Sequence, residues 1–79
     1  MVHPHPAEEI KWREVENSSN VARVGWDKNS RMYIEFVNGG IYMYENVSRQ
    51  RVTAARRAVS VGSYVNRIII PNYKAIKIS

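Results

Sequence analysis

Apolar residues recur at every second position through the middle of the chain and at every third or fourth position after it. Met32, Ile34 and Phe36 alternate with Tyr33 and Glu35, the period of a strand with two distinct faces. Ile41 and Met43 alternate with Tyr42 and Tyr44 in the same way. Between these runs Asn38-Gly39-Gly40 marks a hairpin, because Asn-Gly accepts the positive φ of a tight turn. The preceding run, 21–27, ends in the polar turn Lys28-Asn29-Ser30. These spacings predict strands over 21–27, 31–37 and 41–46 in an antiparallel meander.

Upstream, Ile10, Trp12 and Glu14 follow a period of two and Val15 is β-branched, so 10–16 reads as an edge strand or as a short helix. Pro6-Ala7-Glu8-Glu9 supports the helix, with proline near the first helical position and acids in the first turn. Asn17-Ser18-Ser19-Asn20 is turn chemistry.

Downstream, Ser48 can cap a helix whose apolar positions are Val52, Ala55 and Val59. Gly62 breaks or ends that helix, Ser63 can cap a second short one to roughly Arg67, and Pro71 opposes continuation past Ile70. The tail after Tyr73 alternates weakly and pairs as a strand or lies loose. The expected fold is α+β: a meander of three strands, or up to five, packed on one amphipathic helix and a second short helix.

Charge changes this picture. Residues 1–45 hold five basic and seven acidic side chains, a formal −2, whereas residues 46–79 hold seven basic side chains and no acid. Four of those cations, Arg49, Arg51, Arg56 and Arg57, sit on the predicted helix, and Arg67, Lys74 and Lys77 follow. A solvated helix face normally interleaves acids. This one has none, so the arginines are read as contacts for phosphate or for an acidic surface, against the plainer reading of a solvated face.

Catalysis has no visible apparatus. Ser18-Ser19 has no histidine or lysine placed to activate it, and no pair of carboxylates stands in an acid–base arrangement. Cysteine is absent, which removes disulfides and thiolate metal sites and fits a reducing compartment. His3-x-His5 offers two ligands where a zinc site needs three or four. No cofactor and no metal are expected. The longest apolar run, Ile68-Ile69-Ile70, is far short of a membrane span, and 1–6 lacks the regions of a signal peptide, so a cytoplasmic protein is expected.

An ordered series runs through the chain: Ser18-Ser19-Asn20-Val21, Val24-Gly25-Trp26-Asp27, Met32-x-Ile34-x-Phe36, Gly40, Tyr42-Met43-Tyr44 and Val47. It continues in Ala58-x-Ser60-x-Gly62-x-Tyr64-x-Asn66, Ile68 and Tyr73. This series resembles the KTSC domain, a module named for its place at the C-terminus of some lysyl-tRNA synthetases and found free-standing in bacteria and phages. The resemblance implies a domain over 15–73, with a partly flexible lead at 1–14 and a tail at 74–79. Trp26, Phe36, Tyr42, Tyr44 and Gly62 are its structural motif residues. Trp26 stands where a tyrosine is usual, Ser48 where a proline often opens the helix, and Ile69-Ile70-Pro71 where the family is more polar. RNA binding is the activity suggested for the family.

The leading expectation is therefore a non-catalytic domain that binds RNA or single-stranded nucleic acid. Arg49, Arg51, Arg56, Arg57, Arg67 and Lys74 would contact phosphate, with Tyr33, Tyr64 or Tyr73 stacking on bases. Tyr42 and Tyr44 are either core or a stacking platform. Two alternatives stand beside it: an inhibitor or adaptor docking on an acidic protein surface, and capture of a small anionic nucleotide at the Gly62-Ser63 corner. No membrane partner is expected.

Overall fold

The computed structural model describes residues 10–16 and 18–79. The helix start read at Pro6–Glu9 and the His3-x-His5 pair lie outside the described residues. Among the described residues five strands follow one another in space as in sequence: β1 (Lys11–Glu14), β2 (Val21–Trp26), β3 (Met32–Phe36), β4 (Ile41–Tyr44) and β5 (Ala75–Lys77). Every neighbouring pair is antiparallel. The sheet thus runs past 15–73 at both ends: part of the expected lead is β1, and part of the expected tail is β5.

Two helices cover one face. Helix α1 spans Arg49–Arg57, and Ser48 caps it by accepting a hydrogen bond from the Arg51 amide. The helix ends two residues earlier than the apolar spacing predicts. Ala58 turns extended, at φ −62° and ψ 144°, so Val59 leaves the helical stripe and is fully exposed.

Helix α2 begins after Ser60, whose hydroxyl accepts from the Ser63 amide, so Ser60 rather than Ser63 is the cap. Gly62 lies in its first turn instead of breaking a helix. The helix then continues past Arg67, through a π turn at Val65–Ile69 and a last turn at Ile70–Asn72 that contains Pro71. Within the π turn the Ile70 amide reaches back to the Val65 carbonyl. That wider turn shifts the ladder just ahead of a residue that has no N–H to give, and it lets the helix carry a proline.

Register decides what each face does. Directly opposite residues share a face, so Val24, Ile34 and Tyr42 line up in one row and Trp26, Met32 and Tyr44 in the next. Both rows face the helices and join Val52, Ala55, Val65 and Ile69 in the core. Tyr44 is buried and Tyr42 packs against the same cluster, edge-on to Phe36 at 5.7 Å between ring centroids. The two tyrosines are core, not a platform. Val24, Ile34 and Ile69 are each fully buried, which contributes about 1.5–3 kcal/mol apiece.

The opposite face carries Trp12, Gly25, Tyr33, Met43 and Ile76 in one cross-strand row. Gly25 is needed there: a Cβ at that position would come within 2.9 Å of both Ile10 and Trp12. The Trp12 ring in turn receives the Arg23 guanidinium at 4.2 Å, and Arg23 pairs with Glu35 on the next strand.

A candidate nucleic-acid interface

The β2–β3 turn is built on one carboxylate. Asp27 Oδ1 accepts from the amides of Asn29 (2.8 Å) and Arg31 (3.2 Å), and Ser30 takes the left-handed conformation at φ 62° that closes the turn. The other oxygen, Oδ2, accepts the Tyr33 hydroxyl at 2.7 Å and lies 3.7 Å from the Arg31 guanidinium. Ser30 then accepts the Val47 amide at 2.8 Å, which pins the approach to α1 against this turn.

Between the turn and α1 an open cleft of about 950 Å³ results. Five cations line it: Lys11, Lys28, Arg31, Arg49 and Arg56. Among the described residues Asp27 is the one acid in the lining, and its side chain is only 5% exposed with both oxygens engaged within the chain. The cleft is therefore positive in balance. Val47 and Val52 contribute apolar wall, and Trp26 lines it as a half-buried indole. The Arg56 guanidinium lies 4.1 Å from the centre of that ring, a cation–π contact, and its Nε is shielded from solvent without a hydrogen-bond partner.

Helical geometry sorts the arginines. At about 100° per residue, Val52 and Ala55 face the sheet while Arg49, Thr53 and Arg56 fall along one flank. Arg51 falls on the other flank. Its Nε and Nη1 donate to the hydroxyls of Tyr73 and Tyr64, each at 3.3 Å, and these two contacts, Tyr64 first, raise its pKa further. Arg51, Tyr64 and Tyr73 thus form a clasp between the two helices, with both rings packed on the core. Arg57, Arg67 and Lys74 are exposed and do not line the cleft. The expected contact residues are accordingly split: Arg49 and Arg56 meet in the cleft, and the rest do not line it.

Tyr33 does not serve for stacking either. It is fully buried with its hydroxyl on Asp27, and burial first, then the Asp27 hydrogen bond, push its pKa up to about 12 from an ordinary 10.0. The native state holds this proton more tightly than the unfolded chain does. Stability from the contact is complete below about pH 10 and is lost as pH rises toward about 12. Denaturant titrations across that window are expected to show a falling midpoint, and Tyr33→Phe is expected to flatten the fall.

The Gly62 corner is likewise filled from within. A Cβ on Gly62 would lie 2.6 Å from Ser18 Oγ and 3.0 Å from Asn20 Oδ1, so the turn at Ser18–Asn20 closes that side of the corner, and the Ser63 amide is already taken by the Ser60 hydroxyl. Asn20 also donates to Asn66 on α2 at 3.2 Å.

Nothing in the sequence joins Lys11, Lys28 and Arg31 to the helix arginines, since β1 and the β2–β3 turn reach α1 only through tertiary packing. The available signal was Trp26 followed at once by an Asp-Lys-Asn-Ser-Arg turn. Among the described residues there is no group of three side chains suited to a metal ion, and no helix is long and apolar enough to cross a membrane.

The model of the KTSC domain family matches residues 17–73. A crystal structure of a KTSC domain protein from Yersinia pestis superposes with a TM-score of 0.81 at 27% identity, covering 89% of this chain and 99% of that one. No curated protein matches the chain.

Proposed function

The chain belongs to the KTSC domain family, and we propose that it is a non-catalytic domain binding RNA or single-stranded nucleic acid in the cleft between α1 and the β2–β3 turn. One observation carries the reading: among the described residues five cations converge on a single cleft whose lone acid is internally paired. The arginine-rich helix contributes one flank, through Arg49 and Arg56, and the turn contributes the other. Binding works by neutralising phosphates and releasing their counterions.

The test is a salt titration with a mixed-sequence single-stranded RNA. If about four phosphates are neutralised, the affinity falls about 50-fold between 50 and 200 mM monovalent salt. A change of less than twofold defeats the proposal. Affinity capture from lysate with and without nuclease separates nucleic acid from an acidic protein partner, since protein partners that survive nuclease treatment favour docking.

A further inference from the structure

We propose that the cleft holds one unpaired nucleotide of the bound strand, with its base against the indole of Trp26 and its phosphate among Lys28, Arg49 and Arg56. The proposal rests on the nucleic-acid reading above and adds base stacking to it.

Two details of the cleft set it apart from a merely basic surface. Trp26 presents an aromatic ring to the cleft, and the place over that ring is already taken by a flat group, the Arg56 guanidinium at 4.1 Å. Space that admits a planar cation over an indole also admits the edge or face of a planar base. The second detail is the state of Arg56 itself. Its Nε is shut off from water and has no acceptor, so this resting position leaves one donor unmet.

An exchange satisfies every group at once. The guanidinium turns outward to a phosphate, which supplies the missing acceptor and pairs it in a charge-assisted bond. The base takes the vacated place on Trp26. Lys28 and Arg49, both exposed on the two walls, complete the phosphate's surroundings. Asp27 does not compete for them, because its oxygens are held by Arg31, Asn29 and Tyr33. Bases inside a duplex stay stacked on one another, so the site selects unpaired strands.

The chain has two tryptophans, and Trp12 lies on the opposite face of the sheet. Trp12→Phe therefore leaves Trp26 as the single tryptophan, excited selectively at the red edge of the absorption band where the tyrosines do not absorb. Titration with a mixed-sequence RNA 10-mer is expected to quench that emission saturably, with the same midpoint as binding followed by anisotropy. An abasic 10-mer of equal charge is expected to bind about tenfold more weakly, without the quench. Binding of RNA with no change in emission, or equal quenching by both strands, overturns the stacking proposal and leaves polyanion binding standing. Loss of binding to both strands defeats the underlying reading as well.

A second readout does not depend on the Trp12 variant. Trp26→Leu is expected to bind RNA and the abasic strand equally, while Trp26→Phe keeps a preference for RNA. A Trp26→Leu chain that still prefers RNA about tenfold overturns the proposal.

Discussion

Lys28→Glu combined with Arg49→Glu is expected to weaken binding of a single-stranded RNA 10-mer by about 100-fold at low salt, taking roughly tenfold for each reversal. These two cations stand on opposite walls of the cleft, one on the β2–β3 turn and one on α1. Both are exposed, so their reversal leaves the core untouched. The matching control is Arg67→Glu with Lys74→Glu. It changes the net charge by the same amount at exposed positions that do not line the cleft. Both pairs are also compared at physiological salt, where a Debye length of about 8 Å limits the control to a few-fold loss while the cleft pair keeps the larger one. Anisotropy titrations of both variants decide the matter. Equal losses from the two pairs make binding a property of net charge alone and remove the cleft from the account.

The contrast matters because the charge was easy to see in the sequence and its geometry was not. Seven cations without an acid give 46–79 a positive field, yet the chain does not say which of them meet. Arg51 illustrates the difficulty. It lies two residues from Arg49, but a helical turn sends it to the opposite flank, where two phenolic oxygens take its donors. The missing partners of Arg49 and Arg56 lay far away in sequence, on β1 and on the β2–β3 turn. No periodicity links Lys11 or Lys28 to α1. Only the register that sets Lys11 opposite Trp26, and the Val47–Ser30 bond that anchors α1, bring them together.

The fold was more legible because it rests on local signals. Alternation placed β2, β3 and β4, and a serine cap placed α1. What local signals missed were compensated exceptions. Pro71 reads as a stop, but a π turn one step earlier reshapes the ladder so that the helix accepts it. Val59 continues an apolar stripe that the backbone abandons at Ala58. The tyrosines of β4 were undecidable until the register set them opposite Met32 and Ile34, on the face the helices cover.

Gly62→Ala is expected to cost about 2–3 kcal/mol and to lower the melting temperature by roughly 10–20 °C, because the new methyl group overpacks a closed contact in a small domain. The added Cβ would sit 2.6 Å from Ser18 Oγ, and that hydroxyl is not free to retreat. It accepts the Val21 amide at 3.0 Å where β2 begins, and it donates to Asn20, which in turn holds Asn66 on α2. Moving Ser18 therefore disturbs a strand start and a helix contact together. The two stretches Ser18–Val21 and Ser60–Asn66 are thus one joint between sheet and helix, and the glycine is the point of closest approach. Thermal unfolding of Gly62→Ala, and of Gly62→Ala combined with Ser18→Gly, checks this. The second change removes the clashing atom and is expected to recover part of the loss, whereas an additive loss places the cost of alanine somewhere other than this joint. RNA affinity of the folded fraction should stay within about twofold of the parent, since charge in the cleft is unaltered. A selective loss of binding in a chain of undiminished stability would return the corner to the list of binding sites.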